Sequence, residues 1–227
     1  MEKEYKNLVL GCQNCHEEFT ITPDDFSFYG KIKVPPPTWC PECRMIRRMA
    51  FHDHRVLYKR KSDRTGKIIF SVFSQETPYK VWERDIWWSD EWNALDYAKE
   101  IDFNKNFFEQ MKDLFFSVPL PCQTGWNFVN SDYSAGSGQL KNCYLVFVTT
   151  NAEDCMYSTE LNKTKSSLDV TRVDSSELCY NSFALNKCYG VLFSSHCDDC
   201  MNIYFSRSLV GCNFCFGCTN LRNKKYQ

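Results

Sequence analysis

The chain has 227 residues and a formal net charge of −1, and 43% of its residues are hydrophobic and 16% aromatic. This composition excludes a chain that is disordered over most of its length, since such chains have few aromatic residues and a large net charge. The near-zero charge also excludes nucleic-acid binding by the field of the whole molecule, so any such role requires a local basic patch.

The beginning of the chain is charged and lacks the apolar run of a signal peptide. No stretch is long and apolar enough to predict a membrane-spanning helix. Fourteen cysteines without an export signal are typical of metal ligands and buried thiols rather than disulfides. We therefore expect a cytoplasmic protein with no membrane association.

The cysteines are unevenly distributed and predict three segments. Four lie before residue 66, the stretch from 67 to 119 holds most of the tryptophan, and the other ten cysteines lie beyond residue 120. The last part is rich in Ser, Asn and Gly. We predict a metal-binding head at 1–66, an aromatic-rich α+β segment at 67–119 and a cysteine-rich domain at 120–227.

Two cysteine pairs in the head predict a metal site. Cys12 and Cys15, then Cys40 and Cys43, form two C-x2-C motifs separated by 24 residues. Two such pairs complete a tetrahedral four-sulfur site of the kind that holds structural zinc, and iron is the chemical competitor. Because a closed sulfur shell leaves no position for water, we expect zinc to fold the head rather than to catalyse a reaction.

A helix is predicted to begin at Pro41, since proline is tolerated in the first helical turn. A helix at this position is typical of a treble clef, whereas a hairpin would give a zinc ribbon. The following stretch, from residue 44 to 67, has nine Lys or Arg against two Asp. It suits phosphate contact, although a solvated face, or pairing with the acidic middle segment, explains it equally. The candidate nucleic-acid-binding residues are Arg44, Arg47, Arg48, Arg55, Lys59, Arg60 and Lys61.

Two histidines within the basic stretch suggest a nuclease. His52 and His54 flank Asp53, but a metal-dependent nuclease needs further ligands downstream. The only later histidine is His196, in a different segment. We therefore predict no catalytic residues.

The middle segment predicts a strand at 67–73 and two helices. Ser89 is a candidate N-cap for the first helix and Asn104 for the second. The second carries an apolar stripe that includes Phe107, Met111 and Phe115, which predicts a core-facing helix, with a partner-binding groove as the alternative. The tryptophans of the segment are predicted to lie in the core rather than to form a stacking platform.

The last segment contains short repeated motifs, such as NCYLVF, DCMNIYF and GCNFCF. Each begins near a cysteine and continues with the aromatic and apolar residues typical of a β-strand. The cysteines of successive motifs are 12, 24, 9, 12 and 12 residues apart. With one short strand per step, two or three steps predict a β-solenoid turn of about 21 to 25 residues. Cysteine is small and apolar enough for a narrow interior. An irregular cysteine-rich sandwich is the alternative.

Four cysteines of this segment form two more C-x2-C pairs, with eleven residues between the pairs, and are candidates for a second metal site. With Cys218, the last pair extends to a C-x2-C-x2-C run similar to that of iron–sulfur proteins, but their x3-C-P continuation is missing, since residue 222 is Arg. Thiols stacked inside a solenoid explain the same residues without metal. The candidates are Cys197, Cys200, Cys212 and Cys215.

Several stretches carry a resemblance to a known family. They include CPECRMIRR from residue 40, LYKRKSDRTGK from residue 57, KNCYLVF from residue 141 and NFCFGCTNLRNKKY from residue 213. Together they resemble a family of uncharacterised cysteine-rich zinc-ribbon proteins that candidate-phyla (Patescibacteria-type) bacteria commonly encode. The resemblance implies an intracellular bacterial origin and an N-terminal zinc site on the first four cysteines, and it implies no activity.

These observations predict an α+β zinc-knuckle head, of treble-clef or zinc-ribbon type, and a small α+β segment followed by a β-solenoid-like all-β domain. The predicted function is that of a non-enzymatic, zinc-stabilised interaction protein that binds RNA or DNA through the basic patch. A protein–protein scaffold or assembly component that uses the solenoid surface, and a metal-dependent nuclease, are the alternatives. No small-molecule substrate is predicted.

Overall fold

A computed structural model describes residues 6–50 and 55–227. The nuclease candidates His52, Asp53 and His54 lie outside the described residues. The chain divides into two compact units, residues 1–53 and 54–227, which we call the head unit and the solenoid unit. The head predicted from the sequence ended at residue 66, beyond the boundary at residue 53. The hairpin at residues 58–71 lies entirely in the solenoid unit.

The head unit contains one hairpin and two helices. Strand β1 (Leu8–Gly11) pairs antiparallel with β2 (Glu18–Ile21). Helix α1 (Pro23–Lys31) begins with a capping box at Thr22, and α2 (Pro41–Met49) has Cys40 as its N-cap. The helix predicted at Pro41 is therefore confirmed, and its first turn holds the second cysteine pair.

The solenoid unit begins with short elements. Hairpin strands β3 (Tyr58–Lys61) and β4 (Ile68–Ser71) are antiparallel, so the strand predicted at 67–73 is confirmed. Strand β5 (Val81–Trp82) pairs parallel with β6 (Leu120–Pro121). Between them lie α3 (Arg84–Trp87), a 3₁₀ helix (Ala94–Tyr97) and α4 (Phe107–Ser117).

Both predicted helix caps of the middle segment were wrong. Ser89 begins no helix; its hydroxyl donates to the carbonyl of Ile86 at the end of α3. The N-cap of α4 is Asn106, whose side chain accepts from the N–H groups of Phe108 and Glu109. Asn and Ser form such local bonds in turns as well as at caps, so residue type alone does not locate the helix end.

The predicted core role holds for Trp82 and in part for the half-buried Trp87 and Trp92, and it fails for α4. Trp82 is buried and packs against Trp92, whereas Trp88 is 68% exposed. On α4, Phe108 is 78% exposed and Met111 52%. The periodicity of apolar residues shows that a helix has an apolar face, but it does not show that another element covers that face.

The rest of the unit is a parallel β-solenoid of about eight turns, as predicted. Residues in adjacent turns pair at a spacing of twelve, for example Val170 with Ser182. The predicted turn of 21–25 residues was therefore wrong, because each step of twelve is a complete turn. The strands are β7 (Gly125–Val129), β8 (Ser137–Lys141), β9 (Tyr144–Phe147), β10 (Thr150–Glu153), β11 (Met156–Lys165), β12 (Leu168–Asp174), β13 (Tyr180–Asn186), β14 (Tyr189–Leu192), β15 (Ser195–Asp198), β16 (Met201–Tyr204), β17 (Arg207–Val210) and β18 (Asn213–Phe216).

From Gly136 onward, each turn has four corners, where the backbone is left-handed. In one turn the corner residues are Leu145, Val148, Asn151 and Asp154, with φ between 51° and 56°. A β-branched residue such as valine rarely adopts this conformation. The regular ladder of twelve-residue pairings holds it in place here. Because the corners are three residues apart, each side of the four-sided turn has three residues.

The side chains between corners point inward and form four columns along the solenoid. One turn contributes Cys143, Val146, Thr149 and Ala152, all of them buried. Small residues dominate because a side of three residues encloses a narrow interior, so the predicted packing of cysteine inside the solenoid is confirmed.

Buried hydroxyl groups in this interior are satisfied by the backbone. Ser182 Oγ donates to the carbonyl of Tyr180 at 2.8 Å and accepts from the N–H of Ser194 at 3.2 Å. Ser194 Oγ makes the same bonds to Leu192 at 2.8 Å and Ser206 at 3.0 Å. Because each hydroxyl both donates and accepts, serine is tolerated inside the solenoid without the cost of an unpaired polar group.

Helices are few and short in this fold. In residues 6–50 and 55–227, none has the length and apolar character needed to cross a membrane.

Candidate metal centre and basic surfaces

The four cysteines of the head unit converge on one point. Cys12 and Cys15 come from the turn of the β1–β2 hairpin, and Cys40 and Cys43 come from the N-terminus of α2. Their sulfur atoms all lie within 4.8 Å of one another. The two ends of the head are therefore joined at these four side chains, which we call the cysteine clamp.

Hydrogen bonds to sulfur prepare the clamp for negative charge. The backbone N–H of Cys40 donates to Cys12 Sγ at 3.2 Å, and that of Cys43 donates to Cys40 Sγ at 3.4 Å. The side-chain amide of Asn14 donates to Cys43 Sγ at 3.3 Å. Such donors favour thiolate over thiol, and thiolate is the form that binds metal.

The sulfurs of the clamp compete for ionisation. Burial acts to raise the pKa of Cys12, but the backbone N–H groups of Cys15, Cys40 and Asn14 outweigh it and lower the pKa to about 6. The backbone N–H of Glu17 acts to lower the pKa of Cys15, but burial and the neighbouring sulfurs raise it to about 12. Four thiolates in this space therefore require a cation.

The geometry fits a tetrahedral metal ion. A zinc ion with Zn–S bonds of about 2.3 Å separates its ligands by about 3.8 Å, and the sulfurs of Cys15 and Cys40 are 3.8 Å apart. Iron in a four-sulfur site has a similar geometry, so the donor set alone does not choose between them. In either case all four positions are filled by protein, which leaves no open position for a substrate or water.

The predicted second metal site is not formed. Cys200 and Cys212 share one interior column, whereas Cys197 and Cys215 belong to two others. Their thiols donate to backbone carbonyls instead, as Cys200 does to Asp198 at 3.2 Å. Within the described residues, the cysteine clamp is the only group of three or more metal-ligating side chains close enough to share an ion.

The candidate arginines of α2 differ in exposure. Arg44 is half-buried, whereas Arg47 and Arg48 are exposed. The guanidinium of Arg47 lies over the ring of Trp39 at 5.0 Å. Neither exposed arginine pairs with a carboxylate of the described residues, so both are free to meet an anion.

One candidate nucleic-acid-binding residue of the solenoid unit is buried. Arg60 is only 3% exposed; it pairs with Asp63 at 2.8 Å and donates to the carbonyl of Ser74 at 2.8 Å. The prediction that Arg60 contacts nucleic acid is therefore wrong, and its role is to hold the β3–β4 hairpin. Its neighbours Lys59 and Lys61 are exposed on the other face of β3.

The remaining basic residues at the start of this unit differ in whether they are paired with a carboxylate. Arg55 donates to Glu160 at 2.5 Å and is engaged there. Arg64 and Lys67, which were not among the candidates, are exposed on the same hairpin as Lys59 and Lys61. Both belong to the basic stretch from residue 44 to 67 that the sequence indicates.

An exposed aromatic column along the solenoid was not predicted. Tyr144, Tyr157, Phe193, Phe205 and Phe216 lie on one side, and each is at least 39% exposed. Rings in adjacent turns touch: Phe193 stacks on Phe205 with centroids 4.9 Å apart, and Phe205 lies 5.6 Å from Phe216. Their steps are 13, 36, 12 and 11 residues, which become a pattern only when the turn is known to be twelve residues long.

No family model and no curated protein matches this chain. Membership of the zinc-ribbon family suggested by the sequence motifs therefore stays a prediction, and the function has to be argued from the clamp and the surfaces around it.

Proposed function

We propose that this chain is a non-enzymatic binding protein whose zinc-clamped head presents α2 to RNA or DNA. The observation that carries the proposal is the pair Arg47 and Arg48, which are exposed, unpaired with described carboxylates and directly beyond the clamp. In the solenoid unit, Lys59 and Lys61 offer a second exposed basic surface. Phosphate groups are the natural partners of such residues.

Zinc has a structural role in this proposal. It joins the β1–β2 hairpin to the first turn of α2, and so it fixes the helix that carries the arginines, in the manner of a treble clef. Arg47 is also held over Trp39, which reduces the conformational freedom that it loses on binding phosphate. A closed four-sulfur shell supplies no activated water, which disfavours the nuclease alternative.

We predict that the double variant R47A/R48A binds nucleic acid more weakly and with a lower salt dependence. Each phosphate contact contributes about 0.9 to the slope of log K against log salt concentration on duplex DNA, so the slope should fall by about two. The measurement is fluorescence anisotropy of labelled single-stranded RNA and duplex DNA across a salt series.

The matched control is K6A/K31A, which removes the same charge from exposed positions of the same head unit. It should leave the slope within about 0.5 of the parent value, since only charges at the contact release counterions. If the parent protein fails to bind at low salt, or if both double variants lose affinity equally, the proposal is rejected.

The aromatic column favours a second candidate function, that of a protein–protein scaffold. Contiguous exposed apolar side chains on a soluble protein mark interaction sites, and Phe205 and Phe216 are 58% and 68% exposed. Scaffolding predicts a protein partner that remains bound after nuclease treatment and that rebinds when both components are pure. The variant F205S should abolish that rebinding, whereas V210S, at a different position of the same turn, should not.

A further inference from the structure

The β3–β4 hairpin of the solenoid unit repeats the backbone of the clamp hairpin. In the head, Cys12 N–H donates to Glu17 O at 2.8 Å and His16 N–H donates to Cys12 O at 2.9 Å. In the solenoid unit, Ser62 N–H donates to Lys67 O at 2.8 Å and Gly66 N–H donates to Ser62 O at 3.0 Å. Ser62 therefore stands where the head has Cys12.

The left-handed residue of the turn is also repeated. His16 has φ 65° and Gly66 has φ 74°, and each comes four residues after the first member of its pair. In the same alignment Thr65 stands where the head has Cys15.

The segment that approaches the hairpin is repeated as well. Gln13 N–H donates to Thr38 O at 2.9 Å, and Asp63 N–H donates to Val81 O at 2.9 Å. Two residues after each acceptor comes a helix N-cap, Cys40 for α2 and Glu83 for α3.

The residue before each N-cap is a tryptophan with an arginine over its ring, and the arginine comes from α2 in the head but from the turn of the hairpin in the solenoid unit. Arg47 lies over Trp39 at 5.0 Å, and Arg64 lies over Trp82 at 4.9 Å. By this alignment Glu83 stands where the head has Cys40, and Ile86 stands where the head has Cys43.

The chemistry at the centre is inverted between the two copies. Ser62 Oγ donates to Glu83 Oε2 at 2.5 Å, and Thr65 Oγ1 donates to the other carboxylate oxygen. Burial acts to raise the pKa of Glu83, but these two hydrogen bonds outweigh it and lower the pKa. Thiolates need a cation between them, whereas two neutral hydroxyl groups can donate to one carboxylate without any cation.

We propose that residues 58–87 are a metal-free counterpart of the cysteine clamp, in which the Glu83 carboxylate holds the two ends together in place of a metal ion. Only three polar groups are needed for this closure, and the fourth position is occupied by the half-buried Ile86. The backbone frame is that of a metal site, so cysteines at the four positions should bind a thiophilic cation. This inference is independent of the nucleic-acid proposal.

The test is the variant S62C/T65C/E83C/I86C. After loading with zinc and dialysis, elemental analysis should find one more metal ion per chain than in the parent protein. Cobalt titration should show one additional equivalent with the absorption of a tetrahedral thiolate site. The control S62C/T65C/E83A/I86A keeps two thiols and should gain no tightly held metal. A folded four-cysteine variant that gains no metal would refute the proposal.

A second variant covers the case in which the four-cysteine chain does not fold. E83Q keeps the shape of the side chain and removes the charge that the two hydroxyls share. Amide hydrogen exchange in residues 58–71 should accelerate tenfold or more, with metal content unchanged. Unchanged exchange in this hairpin would show that Glu83 does not hold it closed, and the proposal would then fail.

Discussion

Removal of the metal by a strong chelator is expected to unfold the head unit and to leave the solenoid unit folded. Of the described head residues, the buried apolar ones are only Cys12, Ile21, Cys40 and Cys43. Three of these are clamp ligands, so without metal the head has almost no core. Structural zinc contributes roughly 10–16 kcal/mol to the folding of small zinc modules, far more than one buried isoleucine.

Amide hydrogen exchange measures the unfolding of the head unit and of the solenoid unit separately. With chelator, the amides of α2 should lose protection completely, whereas those of β11, β12 and β13 should keep it. The variant C40S should behave like the chelated protein, and C218S, which alters a half-exposed thiol of the solenoid, should behave like the parent. A head that stays protected after the metal has been removed would contradict a structural role for the clamp.

Placing a carboxylate inside the solenoid, in the variant I203D, is expected to unfold the C-terminal turns. Ile203 is fully buried and pairs with Val191 on one side and Cys215 on the other. A charge there would have no cation beside it, since its neighbours in the column are an apolar side chain and a thiol, and burial of such a group costs several kcal/mol. Because each turn is stabilised by its neighbours, the loss should spread along the solenoid.

Urea denaturation followed by circular dichroism tests this expectation. The milder variant I203A should lower the free energy of unfolding by about 2–5 kcal/mol. The outward-facing control F205D introduces the same carboxylate two residues away, where the side chain is 58% exposed, and should cost under about 1 kcal/mol. Equal losses for I203D and F205D would show that the interior is not closed to water.

The metal site and the solenoid were predictable for different reasons. The spacing of the first four cysteines reports a local requirement, since two ligands on one turn must reach one ion. The cysteine steps of 12, 24, 12 and 12 contain the solenoid repeat, but the step of 9 obscured it. In the structure, nine residues are three sides of a four-sided turn, so Cys188 lies in a different column from Cys179.

The basic surface shows what a count of charges omits. Lys59, Arg60 and Lys61 are consecutive on a strand, so the central side chain points to the opposite face. A strand assignment for residues 58–61 is therefore enough to predict that Arg60 faces away from Lys59 and Lys61. The partners of Arg60, Asp63 and Ser74, come from the turn and from beyond β4, and their approach depends on the fold as a whole.

The twelve-residue turn makes the solenoid a structure that can change in only a few ways. Duplication or loss of twelve residues would lengthen or shorten it by one strand spacing, about 4.8 Å, and leave every column aligned. Insertion of three residues would keep inward side chains inward but move each later column to the adjacent side. The aromatic column would then be broken and continue a quarter-turn away, so a three-residue change could redirect a binding surface while the core is preserved.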